Sequence, residues 1–210
     1  MRPPVQRDAI IGVAALAMLP ANAAAMYLRG ADRPGSGNLM AVTILAMVAL
    51  VPVATVWLLV AVVRDRRAIR RQVGRLLLLG VLVAASLWYA LGRVGFDFLA
   101  RGLRSRISSQ VSMPELQAAA VQLLNASESS GFTSAEAGEA STSPLVPEPI
   151  RRLRPRRVWV PGGPGADEYV SLSWGSCLDL CEVWVGPPGF VVTGPGAYRW
   201  YDGIYARVGG

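Results

Sequence analysis

Few residues of this chain have side chains suited to chemistry. Cys177 and Cys181 bracket Leu-Asp-Leu, and a short aromatic run further on holds Tyr198, Trp200, Tyr205 and Arg207. Two thiols flanking a three-residue hairpin loop can reach the Cα separation of about 4.4–6.8 Å that a disulfide needs, whereas along one continuous strand they cannot. A metal site is the poorer reading, because two thiols without histidine supply too few soft ligands. Aromatic rings beside an arginine can stack on sugar rings or bases. The same rings can instead be the core of a small domain with few other large apolar groups to bury.

What is absent narrows the chemistry further. All 21 basic side chains are arginine, with no lysine and no histidine. That removes the imidazole base, the histidine metal ligand, the Schiff-base lysine and the phosphate-loop lysine. Asp167, Glu168, Asp179, Glu182 and Asp202 remain, but no two of them form a recognisable acid–base constellation. The expectation is a non-enzymatic protein with no catalytic residue, no metal and no cofactor.

The elements that carry these residues begin in apolar segments. Hydrophobic residues make up 52% of the 210-residue chain and the pI is about 10.2, a composition that fits a membrane protein. Three stretches read as transmembrane helices: 9–28, 39–63 and 76–92. The first, at 1.5 Å per residue, covers about 30 Å, one hydrocarbon thickness. The second would cover about 37 Å and should tilt, or bend at Pro52. The third is bounded by Arg75 and Arg93, whose stems can snorkel, and it carries Trp88 and Tyr89 near its far end, where such rings favour the headgroup layer. Arg93, Asp97 and Arg101 then recur every four residues, a spacing that predicts a helical extension past the span. The start has a second reading. Arg2 and Arg7, the apolar residues up to Leu19, the helix breaker Pro20 and Ala21-Asn22-Ala23 also match a cleavable signal peptide.

Orientation rests on the polybasic turn between the second and third spans. Arg64, Arg66, Arg67, Arg70, Arg71 and Arg75 lie in one short loop, which is hard to translocate. With Arg2 and Arg7 on the same side, the N-terminus faces the cytoplasm and everything after the third span faces out. Arginine-only usage hints at a GC-rich bacterial genome, so the expected location is the bacterial cytoplasmic (inner) membrane.

After the membrane domain, 1–111, the sequence changes character. Ser112-Met-Pro-Glu115 has the capping-box pattern and opens an amphipathic helix over 112–125. Residues 126–149 are rich in Ser, Ala, Glu and Gly and read as a flexible linker. From 150 to 210 the pattern is a small antiparallel all-β module with Pro-Gly turns. Candidate strands are 158–160, 168–174, 181–185, 190–193, 198–201 and 204–208. Asp202-Gly203 predicts a type I′ hairpin. That register places Trp200 opposite Tyr205, Tyr198 opposite Arg207 and Tyr201 opposite Ile204, which makes one side aromatic.

Three apolar spans, an amphipathic helix, Ile150-Arg-Arg-Leu-Arg-Pro-Arg-Arg-Val-Trp-Val160 and a Gly-rich tail with Gly203-Ile-Tyr205 resemble uncharacterised bacterial multi-pass membrane proteins that carry a small C-terminal β module. The likeness is one of layout, with Leu153-Arg-Pro155 and Trp174-Gly175 as local marks, and it implies no activity. The expected function is display of an extracytoplasmic module for binding or envelope assembly. Expected partners are the lipid bilayer and a membrane-protein or second-copy partner, with no nucleic acid. A transport or channel subunit is the alternative, for which Asn22, Thr43, Thr55 and Ser86 are the main polar groups in the spans. With the opposite topology, Arg151 to Arg157 would become a cytoplasmic patch for anionic lipid or nucleic acid.

Overall fold

The structure is a computed structural model that describes residues 4–32, 35–64, 69–91, 94–161, 169–174, 181–193 and 197–208. It divides into two compact units, Met1–Gly102 and Leu103–Gly210.

The first unit is helical: α1 (Pro4–Gly30), α2 (Ser36–Arg64), α3 (Ile69–Leu91) and the start of α4 (Val94–Ser108). Among the described residues two helices, over Gln6–Gly30 and Ser36–Arg64, are long and apolar enough to cross a membrane. A third span is reached if Val73–Tyr89 and Val94–Ser108, bent by 49° to each other, count as one. The extension expected beyond the third stretch is thus a separate helix, and Arg93 lies outside the described residues. Pro20 and Pro52 sit inside α1 and α2 without ending either helix.

Helices α1, α2 and α3 all touch one another. Ala15, Ala54, Leu58 and Leu82 form one packed cluster, and Leu19, Ala23 and Tyr89 another. Small residues set the spacing: a Cβ on Gly12 would overlap Leu78 of α3, and one on Gly102 would meet the Tyr27 carbonyl of α1. Outside these contacts α2 stays apolar. Val42, Leu45, Val48, Val53, Val56 and Leu59 are all more than half exposed. A helix that is apolar all round but covered on one side only suits a lipid environment.

Two polar clasps cross this bundle. At one end Asp8 of α1 is buried with Arg75 of α3. Arg75 Nε and Nη2 each reach Asp8 Oδ2 at 2.7 Å, and Trp57 Nε1 of α2 donates to Asp8 Oδ1 at 3.0 Å. Arg75 Nη1 also donates to the Ala61 carbonyl, 3.2 Å away. Ala61 lies in the last four residues of α2, whose carbonyls have no helical donor, so the guanidinium fills a helix end and suits its dipole. Elsewhere along the bundle Asn22 of α1 donates to Thr43 Oγ1 of α2 at 3.2 Å and accepts from the Tyr89 hydroxyl of α3 at 2.6 Å. Two sequence expectations change accordingly. Arg75 does not snorkel but is an internal ion-pair member, and Tyr89 is an internal hydrogen-bond donor rather than an interfacial ring. Trp88, beside it, is exposed.

The second unit is α+β rather than all-β. It holds α5 (Met113–Ser130), β1 (Ser134–Glu136), α6 (Ala137–Thr142), α7 (Glu148–Arg152), β2 (Arg157–Trp159), β3 (Val170–Ser173), β4 (Cys181–Val185), β5 (Ala197–Tyr201) and β6 (Ile204–Val208). All pairings are antiparallel, in the order β1-β2-β3-β4-β6-β5. Ser112 Oγ caps α5 by accepting from the Glu115 N–H at 3.3 Å, and Gly131 closes the helix in the left-handed region. Leu116, Ala119, Ala120 and Leu123 are buried on its inner face, and the helix packs on α7, β3 and β4.

The flexible linker expected at 126–149 is not one. Its first residues extend α5, Ala135 of β1 pairs with Val158, and Ala140 and Val146 are buried. These small apolar side chains are covered where α6 packs against β1, β2 and α7. A strand at 190–193 is also not formed; those residues are irregular.

Removing one partner from the first clasp leaves a charge buried without compensation. Asp8→Asn or Arg75→Met should each lower stability by about 3–5 kcal/mol, while Asp8→Leu with Arg75→Met should recover most of it. Thermal unfolding of the full chain in nanodiscs checks this, and a double variant no better than the singles would contradict the pairing.

Candidate functional site

Alternation along the strands divides the sheet into two unlike faces. Ala135, Val158, Val170, Leu172, Cys181, Val183, Val185, Ile204 and Ala206 are buried on the face that the helices cover. The other face carries two rows that run across the strands. One is charged: Glu136 lies opposite Arg157, Arg157 opposite Ser173, Ser173 opposite Glu182, and Glu182 opposite Arg207. The next is aromatic: Trp159 lies opposite Ser171, Ser171 opposite Trp184, and Trp184 opposite Tyr205.

The gap at Ser171 is bridged by Tyr169, which precedes β3. Its ring centroid lies 6.1 Å from Trp159, 5.9 Å from Trp184 and 5.4 Å from Phe190, the last pair stacked. Phe190 in turn meets Tyr205 edge-on at 6.0 Å. Tyr205 is buried beneath this group, whereas Trp159 is 38% exposed. The Arg207 guanidinium lies 5.5 Å from the Trp184 ring centroid, and the Trp184 indole N–H donates to Glu182 at 3.1 Å. A continuous aromatic band, open at Trp159, therefore runs beside a row of alternating charges.

Charge on and around this face is balanced locally. Arg157 faces Glu136 at 3.6 Å, Arg199 pairs with Asp202 at 2.9 Å, and Glu182 is the cross-strand neighbour of Arg207. The basic run that leads into β2 is partly tied as well, since Arg152 pairs with Glu148 and lies 3.8 Å from Glu115.

One side chain fixes the two turns that hold this arrangement. Gln117, buried on α5, donates through Nε2 to the carbonyls of Gly186 at 3.1 Å and Asp202 at 2.7 Å. Gly186 opens the turn that carries Phe190, and Asp202 sits in the turn before Tyr205. Asp202 Oδ2 also accepts from the Gly189 N–H at 3.2 Å. Gly203 has φ +74°, and a Cβ there would run into the Pro187 carbonyl, so both its backbone and its surroundings require glycine.

The aromatic set expected from the sequence is only half assembled. Tyr201 does pair with Ile204, but a bulge between Arg199 and Tyr201 shifts the rest of the hairpin by one residue. Tyr198 pairs with Ala206, on the helix-covered side, and Arg199 rather than Trp200 lies opposite Tyr205. Tyr205 and Arg207 share the outer face, and Trp200 is buried at the bulge. The turn is not type I′ either: Gly203 has positive φ and Asp202 does not. Trp159, Tyr169, Trp184 and Phe190 were missed. The signal was Cys181-Glu-Val-Trp-Val185, whose alternation puts Trp184 on the side away from the valines.

The remaining expected residues fall as follows. Cys181 is buried at the start of β4, where its carbonyl accepts from the Trp174 N–H at 3.4 Å. Cys177 lies outside the described residues, and no disulfide joins described residues. Arg64 is exposed and Arg75 buried; Arg66 and Arg67 are outside the described residues, and Arg70 and Arg71 are described only as helical backbone. Among the described residues no three Cys, Asp or Glu side chains cluster as metal ligands.

No protein-family model, no curated protein and no solved structure matches this chain.

Gln117→Leu would leave the Gly186 carbonyl, which is buried, and the Asp202 carbonyl, which is partly so, without this donor. It should cost about 1–3 kcal/mol and loosen the aromatic band. Urea unfolding followed by tryptophan fluorescence reads both effects, and an unchanged midpoint would show the amide to be dispensable.

Proposed function

We propose that this chain is a membrane-anchored, non-enzymatic binding protein. Three spans hold the α+β unit outside the cytoplasm, and its outer sheet face takes a neutral, ring-bearing polar ligand of the glycan class. The observation that carries the reading is the aromatic band from Trp159 to Tyr205 on the face away from the helices, beside charges that are already matched. Rings offer flat stacking surfaces, and the neutralised rows offer hydrogen bonds without a net field. Phosphate-bearing polymers would require the reverse, an unmatched basic surface.

The anchor is supported by the exposed apolar side of α2 and by the two clasps. The uncleaved reading of the first span is supported by Asp8 and Asn22, both of which a cut after Ala23 would remove from the bundle. Because Asp8 pairs with Arg75, the charges left in the turn to orient the chain are Arg64, Arg66, Arg67, Arg70 and Arg71, with Arg2 and Arg7 on the same side. Binding rather than hydrolysis is supported by spacing. Glu136 and Glu182 stand three strands apart, about 14 Å, whereas paired glycosidase carboxylates lie within about 10 Å.

Two measurements test this. A reporter fused after Gly210 should be active only outside the cytoplasm; cytoplasmic activity would remove the proposed placement. Cellohexaose or chitohexaose titrated into the full chain in nanodiscs should change tryptophan fluorescence, and Trp159→Ala and Trp184→Ala should each weaken binding about fivefold. Salt-sensitive binding of a polyanion in place of the oligosaccharides would contradict the glycan assignment.

A further inference from the structure

In the α+β unit the end of α4 and the chain leading into β2 meet at Trp174. The Trp174 indole N–H donates to the Leu153 carbonyl at 3.0 Å, and the Arg106 guanidinium of α4 lies 5.7 Å from its ring centroid. The Arg156 N–H donates to the carbonyl of Ser173, the residue before Trp174, at 2.7 Å, and the Arg154 N–H donates to the Arg151 carbonyl at 3.0 Å. These bonds gather Arg151, Arg154 and Arg156 beside one half-buried tryptophan, with Arg106 on its ring.

Charge is not matched here as it is on the outer sheet face. Arg152 takes both carboxylates nearby, those of Glu148 and Glu115, and Arg157 faces Glu136. Among the described residues no carboxylate pairs with Arg151, Arg154 or Arg156, and the last two are exposed. Arg154 also has φ +48°, in the left-handed region that glycine adopts more readily. Residues held in such backbone conformations cluster where a chain meets its ligands.

Connectivity narrows what this patch can meet. Helix α4 begins three residues after α3 ends and runs unbroken to Ser108, so Arg106 lies only about 18 Å along it from its start. A headgroup layer at the end of the third span is within that reach. Its chemistry fits: guanidinium pairs with phosphate in a fork, and an indole ring favours the boundary between polar and apolar layers. A nucleic acid would call for a longer basic track, whereas a few arginines next to a span suit anionic lipid.

We infer that Arg106, Arg151, Arg154 and Arg156, grouped at Trp174, form a docking surface for anionic phospholipid headgroups of the membrane that anchors the chain. The inference rests on that anchor, and neither on the glycan assignment nor on which leaflet the unit faces.

The test uses the full chain in nanodiscs of phosphatidylcholine alone or with about one-third phosphatidylglycerol, with arginine modification by phenylglyoxal followed by mass spectrometry. Arg154 and Arg156 should react about threefold more slowly in the anionic discs, and the difference should vanish at about 0.5 M salt. Arg199, on the last hairpin, should react equally in both. Arg151→Gln with Arg154→Gly keeps the backbone angle at 154 and removes two charges; it should leave thermal unfolding unchanged and abolish most of the protection of Arg156. Equal rates in the two discs would overturn the inference, as would equal slowing at Arg199, or protection by a single-stranded oligonucleotide and not by phosphatidylglycerol. The comparison on the unaltered chain decides the matter should the double variant fail to fold. A negative result leaves the anchor standing, because the chain stays in the disc in either lipid.

Discussion

The helical unit depends on a buried ion pair joining residues far apart in sequence. Asp8 and Arg75 hold α1 to α3, and through Trp57 and Ala61 they bring in α2. Such a pair gains little over well-packed apolar residues, because desolvating both charges offsets much of their attraction. Its value is in register. Arg75 Nε and Nη2 close on one carboxylate oxygen while Trp57 takes the other, an arrangement that fits one rotation of each helix. Lysine at this position would keep the charge but lose the fork that reaches Asp8 and Ala61 together.

The same principle operates in the α+β unit without charge. There the aliphatic core between α5 and the sheet would tolerate several helix positions, and the Gln117 amide selects one by holding two turns at once. The aromatic band inherits its geometry from those turns, since Phe190 and Tyr205 follow directly from them. In both units, therefore, apolar burial supplies the driving force and one buried polar side chain chooses the arrangement.

Much of this architecture was readable from local pattern. The first two apolar helices and the Ser112 cap depend on residues close in sequence and appear where those residues predict them; the last hairpin forms at its expected place, but with a different turn and a shifted register. Arg75 was misread because its partner is 67 positions away, and a count of arginines near a span end treats all of them as solvated. The stretch 126–149 is illegible to composition, which does not distinguish small residues packed in a fold from small residues in a linker; Ala135, Ala140 and Val146 are buried by tertiary packing. The candidate face was half legible. Period-two alternation finds Trp184, but the bulge near Trp200 inverts one strand of the expected set, and nothing local in Tyr-Arg-Trp-Tyr announces it.

That bulge has a consequence for how this domain meets other chains. Of the two outermost strands, β5 is interrupted between Arg199 and Tyr201, and β1 is three residues long beside the Glu136–Arg157 pair. Each rim is thus too short or too distorted to template another strand, the usual protection against fibre-like stacking. The sheet is therefore blunted along its borders, while its broad outer face has no such protection.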